Sequence, residues 1–173
     1  MNRNYYIFVF ILLVTTFSMI NAVPYQLRKR ETKFDACGAE PITVKINPDP
    51  LVSEKPATYT GSGTLKFNNI IAGKTMLVIG YSDTSNNRIG DPDIQHFTES
   101  FNAGEPFTIT AKDVQTPKLP KTYGITVAIL DVSTNPKAPI YACATATVGG
   151  SLGERTYPIA GFSIAGYPIA ERS

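Results

Sequence analysis

Between Phe34 and Val148 no stretch holds an apolar period of 3.6 residues for long enough to fill a helix. The chain instead repeats short alternating runs closed by turn chemistry, which points to strands. Ile42 to Ile46 alternates apolar and polar residues and stops at Asn47-Pro48-Asp49-Pro50. Two prolines at alternate positions cannot donate to a sheet ladder, so a strand ends or leaves its sheet there. From Thr58 to Phe67, the residues Tyr59, Gly61, Gly63, Leu65 and Phe67 share one face. Thr75 to Tyr81 is apolar on both faces, as a central strand would be. A weaker run spans Asp91 to Phe97, Phe107 to Thr110 alternates cleanly, and Tyr123 to Leu130 carries Ile125, Val127 and Ile129 on one side. Tyr141 to Val148 closes the series. About seven strands over roughly 110 residues predict an all-β protein, an antiparallel β-sandwich of immunoglobulin-like size. The domain is expected over residues 34–148.

The flanks read differently. Arg3 precedes ten apolar residues, Tyr5 to Val14, and a more polar stretch leads to Ala22. That order describes a secretory signal peptide over residues 1–22. An N-terminal membrane anchor is the alternative, but such a run is about half of what a bilayer core requires. Residues 23–33 form a linker or propeptide containing the tribasic run Arg28-Lys29-Arg30, either a processing site or a solvated basic turn. Cutting after Arg30 would leave 12 basic against 14 acidic residues, turning a net charge of +2 into −2. The tail, residues 149–173, repeats Tyr157-Pro158-Ile159-Ala160 as Tyr167-Pro168-Ile169-Ala170. Two short copies are too few for a solenoid. The tail is expected to be flexible, or else to lie against the domain or a membrane. No Asn-x-Ser/Thr triplet occurs, so no N-glycosylation is expected.

Composition narrows the function classes. No basic cluster lies in the body of the chain, which removes nucleic acid as a default partner. His96 is the only imidazole, so a hydrolase is a distant reading. Asp83, Asn86, Asn87, Asp91 and Asp93 form an oxygen-rich stretch that matches no EF-hand spacing and reads as a solvated turn. Gly61-x-Gly63 lies inside a strand pattern and is no nucleotide fingerprint. No catalytic residue, metal site or cofactor is expected. His96 reads as a surface histidine, with a pH sensor for ligand release as its sharper role. In a secreted chain Cys37 and Cys143 most simply form one disulfide, closing a loop of about 105 residues.

An ordered series of motifs adds a resemblance. Cys37-Gly38 is followed by Ile46-Asn47-Pro48-Asp49-Pro50 and Thr60-Gly61-Ser62-Gly63-Thr64-Leu65. Ile71-Ala72-Gly73, Leu119-Pro120-Lys121-Thr122-Tyr123 and Ile140-Tyr141-Ala142-Cys143-Ala144 complete it. From about Lys33 to Val148 the chain resembles the ML lipid-recognition domain, in particular the fungal phosphatidylglycerol/phosphatidylinositol transfer proteins and, more distantly, the Niemann–Pick type C sterol carrier. The resemblance implies a secreted sandwich with splayed sheets, an apolar inter-sheet cavity and a first-to-last disulfide. Related carriers usually hold further cysteine pairs, and this chain has none.

The implied lipid-binding residues are Phe67, Leu77, Ile79, Tyr81, Phe97, Phe107, Ile109, Tyr123, Ile125 and Val127, with Phe101 and Ile129 as further apolar candidates. Tyr123, Ile125 and Val127 come first, because they follow Leu119-Pro120 as lining residues do in related sterol carriers. Tyrosine hydroxyls would meet a headgroup. The expected partners are a phospholipid or sterol and, transiently, a membrane surface, with the protein itself a monomer. A filled-core interaction or adhesion module is the alternative, since a core and an apolar pocket use the same residue types.

Overall fold

The structure, a computed structural model, describes residues 31–131 and 139–149. The expected signal peptide, the Arg28-Lys29-Arg30 run and the tail beyond Gly149 lie outside the described residues. Nine strands form there: β1 (Asp35–Ala36), β2 (Glu40–Pro41), β3 (Thr43–Asn47), β4 (Pro56–Thr64), β5 (Thr75–Ser82), β6 (Arg88–His96), β7 (Pro106–Gln115), β8 (Tyr123–Asp131) and β9 (Ile140–Val148). Seven are the expected runs, with shifted bounds. The other two are two-residue pieces around Cys37.

These strands build two sheets. One has the order β1-β9-β8-β5-β6, with β2 also on β9, and the other is β3-β4-β7. All pairings are antiparallel except β2 with β9. The fold is therefore an all-β sandwich, as the turn-punctuated alternation predicted.

Why β5 and β8 are apolar on both faces is now physical. Leu77, Ile79 and Tyr81 of β5 and Ile125, Val127 and Ile129 of β8 join the core between the sheets. Met76, Val78, Ala128 and Leu130 face the other way and form a second buried cluster with Cys143, against which Cys37, Ala39, Ile94 and Ile140 pack. Successive strand side chains point to opposite faces, so a strand covered on both sides must be apolar throughout.

Two irregularities reset that alternation. In β7, Phe107, Ile109 and Ala111 are buried, but the next buried residue is Val114. Ala57 pairs with Val114 and Tyr59 with Ala111, so Lys112 and Asp113 together face Thr58. Asp113 adopts φ 56° at this β-bulge. The extra residue shifts the phase, which is why the alternation legible at Phe107 to Thr110 breaks before the strand does. In β6, Ile89 pairs with Tyr81 and Asp93 with Ile79. The intervening Gly90, Asp91 and Pro92 bulge out, with Gly90 at φ +69°. A proline is tolerated there because β6 is an edge strand.

Cys37 and Cys143 are disulfide-bonded, with Cα atoms 5.7 Å apart. β1 and β2 flank Cys37 and both pair with β9, which carries Cys143. A buried disulfide is consistent with an extracellular or secretory-lumen location.

Candidate functional site

The expected site lies between the sheets, and nine of its ten residues meet there. Leu77, Ile79, Tyr81, Phe97, Phe107, Ile109, Tyr123, Ile125 and Val127 belong to one buried cluster, with Ile129 in it and Phe101 packed against it. On the facing sheet β4 contributes Tyr59 and, further along, little bulk at Gly61 and Gly63. A Cβ at Gly61 would lie 3.5 Å from Ile109 and 3.6 Å from Leu77, and one at Gly63 would lie 3.4 Å from both Ile42 and Phe107. Leu77 of the opposite sheet thus reaches almost to the β4 backbone at Gly61, while Ile109, Phe107 and Ile42 close over the two glycines from β4's own side of the sandwich.

Phe67 requires a correction. It is 83% exposed and lies outside the inter-sheet layer. β4 ends at Thr64, and beyond it the Lys66 and Phe67 amides donate to the Glu40 carboxylate at 2.7 and 3.4 Å. Once the backbone leaves the ladder, the period of two no longer says which way a side chain points.

The layer has two chemically different ends. At one end Phe97, which follows β6, and Phe107, at the start of β7, pack edge-on with centroids 5.8 Å apart. Phe101 stands 6.4 Å from each. Edge-to-face and tilted contacts of this kind add to the area that aromatic rings bury. The neighbouring loops are tied together, since Ile70 and Phe101 exchange backbone hydrogen bonds at 2.8 and 2.9 Å.

The other end is polar. Tyr59, near the start of β4, and Tyr81, near the end of β5, place their hydroxyl oxygens 2.9 Å apart across the two sheets. Burial pushes both hydroxyls above the ordinary tyrosine value, and for Tyr59 the neighbouring Tyr81 adds to the rise. Tyr123 is pushed up to about 12, by burial first and then by Tyr81 and Asp49. All three therefore stay neutral hydrogen-bonding groups at neutral pH. Thr116, just after β7, is 4% exposed. Its hydroxyl is near enough to act on Tyr81 yet completes no hydrogen bond of ordinary geometry. Asp93 lies beside Ile79 on the inward side of β6, and burial raises its carboxyl.

Tyr59 and Thr116 were not among the residues expected in the site. The alternation of β4 marks Tyr59 as inward, but nothing local marks its partner 22 residues away. Thr116 lies beyond the bulge, where alternation no longer carries orientation.

The remaining polar candidates stand elsewhere. His96 is exposed at the end of β6. Asp83 accepts from the Ser85 and Asn87 amides at 2.8 and 2.9 Å and from the Asn87 side chain at 3.0 Å, which closes a turn on the carboxylate. These bonds hold its pKa below the ordinary value. Arg88 pairs with Asp91, three residues on. No group of three or more His, Cys, Asp or Glu side chains arranged for a metal occurs among the described residues.

No protein-family model matches this chain, and no curated protein matches it. The class defined by the fold is an all-β sandwich whose inter-sheet layer runs from an aromatic end to a hydroxyl-rich end.

Proposed function

We propose that this is a secreted, non-enzymatic lipid-binding and lipid-transfer protein of the ML type. It holds the apolar part of a phospholipid or sterol between its sheets and exchanges it with membranes. The observation that carries this reading is the inter-sheet layer itself, in which a continuous apolar lining ends in a buried pair of tyrosine hydroxyls. A lipid has the same polarity profile. Each buried methylene contributes about 0.8 kcal/mol, so an acyl chain offers several kcal/mol after the costs of association. The motif series and the first-to-last disulfide add support, and the expected signal peptide supplies the route of secretion.

The test is native mass spectrometry of protein purified from a secretory host, with solvent extraction of whatever accompanies it. Stoichiometric phospholipid or sterol is the expected result. Protein that remains unliganded after incubation with mixed liposomes would instead favour an interaction module. One observation speaks for that second reading: the lining side chains pack against one another with almost no exposure, as a filled core does.

Exchange needs a place of contact with the bilayer, and the β4–β5 loop is suited to it. Phe67 is 83% and Ile71 43% exposed. Their backbone is held in place, because Glu40 accepts from the Lys66 and Phe67 amides and Ser100 Oγ accepts from the Ala72 amide at 3.0 Å. A presented phenylalanine on a tied loop buries apolar area in a membrane without reordering the protein. Phe67→Ser should leave stability within about 0.5 kcal/mol and leave equilibrium ligand affinity unchanged. Ligand transfer between vesicles should slow severalfold. An unaltered transfer rate would remove Phe67 from this role.

A further inference from the structure

We infer that the hydroxyl-rich end of the inter-sheet layer selects a neutral, hydroxyl-bearing lipid over an anionic one, with Thr116 and the Tyr59–Tyr81 pair receiving the ligand hydroxyl. This rests on the lipid-binding reading and narrows it to a class of ligand. The first observation is Thr116. Its Oγ1 is shut away from solvent and, although near enough to act on Tyr81, completes no hydrogen bond of ordinary geometry. Buried polar groups are nearly always satisfied, so one left open calls for a reason. Packing alone could as well be met by a valine, which has the same shape and no hydroxyl to bury.

The second observation is the proton count beside it. Tyr59 and Tyr81 each bring one O–H, and their mutual bond uses only one of the two protons. The other proton, the Thr116 proton and several lone pairs remain to be matched. A hydroxyl is both donor and acceptor and can satisfy either need. A carboxylate or phosphate only accepts.

Charge decides between these ligands. The ionisable groups that act on the three tyrosines are one another, Asp93 and Asp49. All are acidic. Among the described residues no lysine or arginine is paired into this end: Lys74 pairs with Asp131 at 3.4 Å and Arg88 with Asp91. An anionic headgroup would enter a low-dielectric site with no counter-charge and with carboxylates nearby, which is strongly unfavourable. A neutral hydroxyl meets no such penalty.

The test compares the delipidated full chain with Thr116→Val and Tyr81→Phe. The probes are a fluorescent sterol with a free hydroxyl, its analogue with hydrogen in that place, a fluorescent long-chain fatty acid, and hexadecanol as a competitor. The hydroxylated sterol should bind at least tenfold more tightly than the fatty acid. Thr116→Val should weaken the hydroxylated probe about tenfold, the equivalent of one hydrogen bond, and leave the deoxy analogue unchanged. Without ligand, Thr116→Val should melt about 4 °C higher, because it removes an unsatisfied buried hydroxyl. Tyr81→Phe should show the same selectivity between probes. Competition by hexadecanol would assign the site to linear alcohols as well as sterols, and its absence would assign it to sterols, either result upholding the hydroxyl preference.

Three results would overturn the inference while leaving lipid binding intact. They are fatty acid binding as tight as sterol, equal weakening of both sterols by Thr116→Val, and a lower melting temperature for unliganded Thr116→Val, which would mean that the hydroxyl is already satisfied by water. Failure of every probe to bind would remove the lipid reading together with this one.

Discussion

Ile125→Asp is expected to abolish folding at 25 °C, with no cooperative transition left in a urea titration followed by circular dichroism. Ile125 is 0% exposed in β8, and its register partners are Tyr81 on β5 and Ala146 on β9. A carboxylate there would face the inter-sheet layer with no cation opposite it among the described residues. The effective cost of burying an unpaired charge is several kcal/mol, against a total stability of about 5–15 kcal/mol for a domain of ordinary size. Protonation lowers that cost but still leaves a polar group in apolar surroundings. Loss of ligand binding in this variant would consequently report on the fold and not on a pocket. Ile125→Val is the informative companion. It should lose about 0.5–1.5 kcal/mol and fold normally, so any change in its ligand affinity reads contact with ligand. A well-folded Ile125→Asp protein would contradict the packing described for β8.

Reduction of the Cys37–Cys143 bond should cost nearly as much. The bond spans 106 residues. Constraint of the unfolded chain by a loop of this length is worth about 4.7 kcal/mol in the chain-entropy model, and measured losses fall in the range of about 2–5 kcal/mol. The folded state loses little else directly, which makes the effect separable. β1 and β2 hold only two residues each, and both depend on β9 for pairing. Residues 35–41 should therefore lose amide protection first when the bond is broken, before β5 and β8 do. Urea midpoints with and without reductant measure the global loss, and hydrogen exchange locates it. A midpoint unmoved by reduction would show that the short strands hold without the covalent tie.

These two predictions draw on different parts of what the chain makes legible. The inward face of β8 could be read directly, because in a strand the side-chain direction repeats every two residues and Ile125 and Val127 keep that period, whereas β5, apolar on both faces, could be read only as a central strand. The disulfide followed from having two cysteines in a chain expected to carry a secretory leader. The same rule of alternation misplaced Phe67. It assumes that the backbone stays in the sheet, and the Glu40 carboxylate takes over the amides of Lys66 and Phe67 after β4 ends. A carboxylate 26 residues upstream of Lys66 leaves no trace in the local pattern.

Thr116 and Tyr59 were hidden for related reasons. Lys112 and Asp113 both sit opposite Thr58, and that extra residue decouples parity from direction in the last part of β7. Tyr59 was legible as inward-facing, but its role comes from the Tyr81 hydroxyl 2.9 Å away on the other sheet.

By itself, then, the order of residues determined the class of fold, the central place of β5, the inward face of β8 and the pairing of the two cysteines. Each depends on local periodicity or on a count. Only the tertiary structure decided which hydroxyls meet, that Thr116 is buried beside Tyr81 without a hydrogen bond of ordinary geometry, that Asp93 lies beside Ile79 on the inward side of β6 and that Phe67 projects outward. Those outcomes depend on bulges, on strand ends and on what stands across the sandwich, and they arise from distances that no spacing along the chain encodes.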